Sequence, residues 1–338
     1  MDKLLKEKIG KLLSDKSQSI VIVTHTNPDG DAIGSCLALR RILTNAGYES
    51  ISVIIPNSDP AFLHWMQGHD QIINATRSAQ SAKKLIEEAS VIFCLDFNHL
   101  NRAEAVADIL IQANAVKILI DHHPQPADEF DYLISDTTVS STAELVYEFM
   151  LTMGWKKFFD RHIAECIYAG IVTDTGSFSY NCNNPRTYEI MSSIMKWQVD
   201  GGEIHRMIYS TYSENRMRLL GYCLSEKLVV MPACQTAYIS LSRKELNRYH
   251  HQVGDTEGIV NYALSLHGIN LAALFTENKD HIKISLRSSG ALDVNELARK
   301  YFAGGGHTNA SGGKSFVSLD ETVSLFEKIV KQQTPVHV

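Results

Sequence analysis

Apolar residues fall along this chain in two rhythms. From Ser19 to about Gly170, short β-branched runs alternate with stretches whose apolar positions recur at helical spacing. The runs SIVIVTH (19–25), ISVII (51–55), VIFCLDF (91–97) and AVKILIDHH (115–123) read as strands. They are apolar throughout rather than alternating, as a strand covered on both faces requires. DAIGSCLALRRILTNAG (31–47), which ends in a helix-stopping glycine, and EAVADILIQAN (104–114) read as the helices between them. Strand–helix alternation predicts an α/β fold with a parallel sheet. Helical patterns continue in STAELVYEFMLTMG and RHIAECIYAGIVTD.

After Gly201 and Gly202 the pattern becomes more polar and mostly helical, through IHRMIYSTYSENRMRLLGYCLSEK. Beyond it LVVMP, TAYISLS, INLAALFT and HIKISLRSS read as strands, followed by a helix, a glycine-rich turn and a final helix, ETVSLFEKIVKQQ. The predicted organisation is an α/β domain over 1–199, a helical linker over 200–227 and a smaller α+β domain over 228–338. A chain of 338 residues is long enough for two separate cores.

Composition narrows the class. Hydrophobic residues make up 44% and charged residues 21%, as in an ordinary globular protein. No apolar run approaches the ~20 residues that cross a bilayer. The N-terminal MDKLLKEKIGKLL breaks its apolar pairs with charges, so it reads as an amphipathic helix and not a signal peptide. The expectation is a cytoplasmic enzyme with no membrane partner. The six cysteines are scattered without a C-x-x-C pair, which predicts buried thiols rather than disulfides or a thiolate zinc site. A net charge of −6 argues against a long duplex gripped along a basic surface, and leaves room for a short anionic substrate. Oligomeric state, a homodimer included, is left open.

Three of the strands change at their carboxyl ends from apolar residues to metal-ligand types: His25, Asp96 and Asp121-His122-His123. In open α/β sheets ligand sites lie at those ends. In HTNPDGD (25–31), Pro28 and Gly30 force a tight loop that can turn Asp29 and Asp31 toward His25. Of the two adjacent histidines at 122 and 123, one can ligate metal while the other faces substrate, with Asp121 orienting a histidine from behind. Asp174 follows another apolar segment in IVTDTGSFSY. Each of these features alone also fits a loop or helix cap. Together, four carboxylates and two histidines suit two divalent cations, manganese or magnesium, with cobalt or iron also compatible. One aspartate would then bridge the pair.

HTNPDGDAIGS, CLDFNHLNR, IDHHPQP and GIVTDTGSF, in that order, resemble the motifs of the DHH phosphoesterase family. LRSSG followed by DVNELARKYFAGGGHTNASGG resembles that family's DHHA1 substrate-binding domain. The pairing and length resemble the branch of bifunctional oligoribonucleases and 3′-phosphoadenosine 5′-phosphate (pAp) phosphatases, the nano-RNases. The resemblance spans about residues 18–335 and makes the first predicted domain the DHH catalytic one. It implies that His25, Asp29 and Asp96 hold one manganese, and that Asp31, Asp96, His122 and Asp174 hold the other. It also implies that His123 contacts the substrate phosphate and that Arg102, Arg287 and His307 belong to the substrate pocket.

Apart from that resemblance, Gly304, Gly305 and Gly306 would let backbone amides approach a ligand, or serve as a hinge. Arg287, after an alternating strand, could make a bidentate phosphate contact. Phe178 and Tyr180 are the aromatic candidates for touching a base, whereas the tyrosines of IYSTYSENR read as helix packing and His250-His251 as surface. The expected reaction is hydrolysis of short oligoribonucleotides and pAp by water activated between two cations. The competing readings are a linear or cyclic dinucleotide phosphodiesterase, a manganese pyrophosphatase or exopolyphosphatase, and a nucleotide sensor without activity. The GGGH segment and the single Arg287 favour a nucleotide over polyphosphate, and the full set of six ligands argues against a sensor.

Overall fold

In the computed structural model, which describes residues 2–333, the first apolar runs form one parallel sheet. Its strands are β1 (Ile20–Val23), β2 (Ile51–Ile55), β3 (Ile73–Asn74), β4 (Val91–Leu95), β5 (Val116–Asp121) and β6 (Tyr132–Ser135), in the order β3-β2-β1-β4-β5-β6. The sequence reading lacks β3 and β6. Both are edge strands, and β3 is only two residues long, too short for an apolar run to show. Alternate residues of each central strand enter opposite cores. Ile20, Ile22, Phe93 and Leu95 face one core, while Val21, Val23, Ile92 and Cys94 face the other. That double burial explains the unbroken apolar runs.

The helices of this unit are α1 (Lys3–Leu12), α2 (Gly30–Asn45), α3 (Ala79–Glu87), α4 (Ala107–Gln112), α5 (Thr142–Thr152), α6 (Arg161–Asp174), α7 (Pro185–Met195) and α8 (Gly201–Tyr209). The helix expected over 104–114 is shorter, because residues 100–106 form a 3₁₀ segment that breaks at Glu104, where φ is +22°. Strand order reverses between β1 and β4, whose connections run to opposite sides of the sheet. The crevice at a reversal of this kind opens beyond the strands' carboxyl ends, here the ends that lead into His25 and Asp96.

Helices α2 and α6 touch backbone to backbone beside that crevice. A Cβ on Gly34 would lie 2.5 Å from the Cys166 carbonyl oxygen, and one on Gly170 would lie 2.9 Å from Asp31 Oδ1. Gly34→Ala must therefore push the helices apart. It should cost about 2–3 kcal/mol, the upper part of the overpacking range, because the obstructing atom is backbone. Urea unfolding should show the loss; an unchanged midpoint would mean that the contact is slack.

The chain divides into two compact units between Thr211 and Tyr212. The second contains α9 (Glu214–Tyr222), β7 (Leu228–Met231), β8 (Thr236–Leu241), α10 (Arg243–Arg248), α11 (Ile259–Leu264), β9 (Leu271–Glu277), β10 (Ile282–Ser288), α12 (Val294–Tyr301), β11 (Gly305–His307), β12 (Ala310–Ser315) and α13 (Leu319–Gln333). Its mixed sheet runs β11-β12-β10-β9-β8-β7, with β8 and β9 parallel and the other neighbours antiparallel. One core lies under α12 and α13, and another under α9, α10 and α11.

The glycine-rich turn of the sequence reading is instead a β-hairpin. A Cβ on Gly304 would meet the Gly312 carbonyl oxygen at 2.0 Å, and one on Gly313 would meet the Phe302 carbonyl oxygen at 2.7 Å. Glycine is needed there for close approach, and the resulting lack of apolar residues hides the strands from a hydrophobicity reading. All six cysteines are free, four of them buried. Among the described residues, no helix is long and apolar enough to cross a membrane.

Candidate metal centre

The loop after β1 ends in helix α2, and Asp29 is its N-cap. Asp29 Oδ1 accepts from the backbone N–H of Asp31 (3.0 Å) and Ala32 (3.1 Å), which fixes the carboxylate at the helix start. His25 Nδ1 donates to the Thr26 carbonyl at 3.0 Å, leaving Nε2 turned toward Asp96 Oδ2, 3.3 Å away. Asp96 itself sits at φ +66°, in the left-handed region, directly after β4. Strain of this sort in a non-glycine residue collects where a side chain must be aimed.

His122 stands at the middle of the group. Its Nε2 lies 3.4 Å from Asp174 Oδ2, 3.6 Å from Asp96 Oδ1 and 3.9 Å from Asp31 Oδ2. Asp174 is the last residue of α6, so that helix and α2 bring their carboxylates to one place. Among the six proposed ligands, two sets have ligand atoms that all lie within 4.8 Å of one another: His25, Asp29 and Asp96, and Asp31, Asp96 and His122. Asp96 belongs to both, and it groups in the same way with Asp121 and His123. His123 turns its Nδ1 to Asp121 Oδ1 at 2.7 Å, with its Nε2 on the opposite edge of the ring.

Asp31, Asp96, Asp121 and His122 are all 2% exposed or less. Burial, followed by the charges of Asp96, Asp174 and Asp29, raises the Asp31 carboxyl well above its ordinary range. Burial also works on Asp96, but the contact with His25 and the charges of His123, His25 and His122 outweigh it and hold that group low. Asp121 is pushed up to about 6 by burial and by Asp96. Burial opposes protonation of His122, yet the surrounding carboxylates, Asp174 first, raise it on balance. So much buried negative charge calls for a counter-charge. The nitrogen–oxygen separations of 3.3–3.9 Å around His25 and His122 are long for hydrogen bonds. They suit atoms sharing an ion, since ligands about 2.1 Å from one cation stand roughly 3 Å or more apart. The donor set fits divalent cations that prefer oxygen with some imidazole.

The sequence reading missed what supports these ligands. The N-terminus of α5 points at the cluster: Thr142 N–H donates to Asp31 Oδ2 (2.7 Å), Ala143 N–H to Asp31 Oδ1 (2.8 Å), and Thr142 Oγ1 to Asp96 Oδ1 (2.9 Å). Glu144, fully buried, accepts from Ser140 N–H and Oγ and from Thr187 Oγ1, and so fixes this helix end. The signal was present in SSTAE, a Ser-x-x-Glu start before an apolar run.

Arg102 is half-buried in the 3₁₀ segment, and its carbonyl accepts from Thr26 N–H at 2.8 Å. Its positive charge reaches His25 and Asp121 and offsets part of the rise that Asp96 gives the first and that burial and Asp96 give the second. Phe178 stacks on Tyr188 at 5.7 Å, whereas Tyr180 is 45% exposed. Tyr209 donates to the Val172 carbonyl, a packing role. His250 is exposed and His251 half-buried.

In the second unit, Arg287 of β10 and His307 of β11 both pair with Ala310 of β12. Two strand spacings, roughly 10 Å, therefore separate them, with only a methyl group between. Of the three glycines, Gly304 and Gly306 are required by packing, since a Cβ on Gly306 would lie 2.6 Å from the Ala310 carbonyl oxygen. A Cβ on Gly305 would make only ordinary contacts, the nearest Asn295 Oδ1 at 3.5 Å. Lys283 and Lys314 face each other further along β10 and β12, a second basic pair that the sequence reading did not connect with Arg287.

Comparison with known proteins agrees with this architecture. The DHH family, N-terminal domain, matches residues 19–171, and the DHHA1 domain matches residues 247–332. The bifunctional oligoribonuclease and PAP phosphatase NrnA of Bacillus subtilis is 30% identical over 306 residues, 90% of this chain and 91% of its own. The crystal structure of an exopolyphosphatase-related protein from Bacteroides fragilis superposes with a TM-score of 0.92 at 41% identity, covering 99% of this chain and 98% of that one. RecJ of Thermus thermophilus, crystallised in complex with Mn²⁺, shares the fold at a TM-score of 0.58 and 13% identity, and this chain covers 55% of it.

Proposed function

The chain belongs to the DHH family of phosphoesterases, and from that premise we infer that it hydrolyses short oligoribonucleotides to nucleoside monophosphates and pAp to AMP and phosphate. The observation that most supports a two-cation site is that Asp96 belongs to both ligand groups. In this reading His25, Asp29 and Asp96 hold one cation, and Asp31, Asp96, His122 and Asp174 hold the other. Manganese is the first choice, with magnesium or cobalt compatible with the same donors. When bound, such a pair lowers the pKa of water and neutralises charge on the phosphoryl oxygens.

The protein's own groups do the positioning. Thr142 and Ala143 hold Asp31 and Asp96 from the start of α5, so the carboxylates need little reorganisation when cations bind. Asp121 engages Nδ1 of His123 and directs the opposite ring nitrogen to a phosphate oxygen. Arg102 adds positive charge on the same side. Arg287 and His307, spaced across Ala310, take the second phosphate or the nucleotide end.

The test is a panel of pAp, short and long RNA, cyclic dinucleotides and tripolyphosphate, assayed with Mn²⁺ and with EDTA. Activity on pAp and dinucleotides should vanish with EDTA and return with Mn²⁺. Turnover per end should fall as strands lengthen, because a protein of net charge −6 offers weak backbone attraction to long strands. Equal kcat/KM on a dinucleotide and on a strand of about two dozen nucleotides would defeat the short-substrate assignment. A polyphosphatase reading has two supports, the name of the B. fragilis relative and the Lys283–Lys314 pair. Preference for tripolyphosphate over every nucleotide would decide for it.

A further inference from the structure

The segment after β2 gathers three side chains that the proposed reaction does not use. Asp59 precedes Pro60 and a 3₁₀ turn, Ala61–Leu63, that ends at His64. Gly68, at φ +88°, then reverses the chain into a second 3₁₀ turn, His69–Gln71. The result brings the rings of His64 and His69 to 4.2 Å between centroids, with planes 30° apart. Their Nε2 atoms converge on one oxygen, Asp59 Oδ2, at 3.5 Å from His64 and 2.6 Å from His69. One ligand atom from each of the three residues lies within 4.8 Å of the others.

The 2.6 Å contact between His69 and Asp59 is an ordinary hydrogen bond, closer than two ligands of one cation stand, so a bound ion would replace it. It does not account for His64, which aims the same nitrogen at the same oxygen from beyond good hydrogen-bond distance. The Asp59 side chain is 7% exposed and that of His64 50%, so the group has a buried anchor and an open side. Burial lowers the pKa of His64, and so do the charges of His69 and Arg77, against the pull of Asp59. Neutral imidazole is the form that binds metal. Arg77, whose charge reaches His64, opposes a cation, and so does Arg40, whose guanidinium donates to Gln71 Oε1 in the same segment.

We propose that Asp59, His64 and His69 form a site for one transition-metal dication of the zinc type, separate from the carboxylate-rich cluster. Two imidazoles and a carboxylate, with a fourth position open to solvent, are a donor set that zinc accepts in tetrahedral geometry. The softer donors should let this site take Zn²⁺ while the aspartate cluster takes Mn²⁺.

Asn57, in the same segment, ties the site to the loop after β1. Asn27 N–H donates to Asn57 Oδ1 at 2.7 Å, and Asn57 Nδ2 donates to Asn27 Oδ1 at 2.8 Å. A bound ion would stiffen the segment that holds the loop presenting Asp29 and Asp31. That consequence rests on the proposed phosphoesterase reading, whereas the binding does not.

Equilibrium dialysis of the whole chain against micromolar free Zn²⁺, followed by metal analysis, tests it. His64→Ala should bind one equivalent fewer than its parent, in both the wild-type and the Asp96→Ala background. His64→Phe, which keeps the ring packing on His69 but no ligand nitrogen, should lose the same equivalent. Zn²⁺ should also raise the melting temperature of Asp96→Ala and leave the Asp96→Ala/His64→Ala double variant unmoved. Equal Zn²⁺ content in folded His64→Phe and its parent would overturn the site. Failure of the aspartate cluster to bind metal would show separately, as an Asp96→Ala capacity no lower than wild type.

Discussion

Asp96→Ala is expected to lower kcat/KM on pAp by about 10³-fold or more, about 4 kcal/mol of lost transition-state stabilisation. The expectation follows from its place in both ligand groups: losing it weakens each proposed cation position at once. Structural cost should run in the opposite order. Asp29→Ala removes the N-cap of α2, worth about 1 kcal/mol. Asp31→Ala leaves the buried N–H groups of Thr142 and Ala143 without their acceptor, at about 1–3 kcal/mol each. Asp96→Ala strips Thr142 Oγ1 of one acceptor but also removes a charge that burdens Asp31. Without added metal, the Asp96 variant should melt no lower than the Asp31 variant while being the less active of the two. The measurement is a pair of melting curves, with and without Mn²⁺, beside the kinetics. Near wild-type turnover by Asp96→Ala with Mn²⁺ would end the bridging assignment.

The sequence exposed the central strands because each is buried on both faces, and a doubly buried strand has no polar register to blur it. It exposed His25, Asp96 and His122 because polar residues just after such strands stand out, whereas Asp29 and Asp31 open α2 and Asp174 closes α6. What it hid has physical reasons. The edge strand β3 is two residues long, and β11 and β12 are built on glycines chosen for close approach rather than apolarity. Thr142 and Ala143 reach Asp31 and Asp96, and Glu144 reaches Thr187, through hydrogen bonds that span more than forty positions, so no local spacing marks this helix start as the support of the cluster. Only their capping pattern is local, and it signals a helix start without saying what that start faces. Asp59, His64 and His69 escaped for a related reason: their convergence depends on Gly68 and two short 3₁₀ turns, not on a periodic element.

Arg287→Ala is expected to weaken transition-state binding of pAp and dinucleotides by about 2–4 kcal/mol, roughly 30- to 900-fold in kcat/KM. Arg287 is not among the proposed cation ligands, so Mn²⁺ affinity should hold. It lies half-buried on β10, whose core-facing residues are Ile282, Ile284 and Leu286, so the apolar packing survives its truncation. Thermal stability should accordingly barely change. The informative comparison is between substrates. Bis-p-nitrophenyl phosphate has a good leaving group and no second phosphate or nucleotide for Arg287 to hold, so its hydrolysis should depend mainly on the cation cluster. The variant should therefore lose far more on pAp than on the activated diester. His307→Ala should show the same split, because the register places it across Ala310 from Arg287, where both can grip one phosphate-bearing group. Equal losses on both substrates would assign Arg287 to the chemistry of the cluster. A fall in melting temperature with equal losses would make it a structural residue, and substrate recognition by the second unit would then lose its chief support.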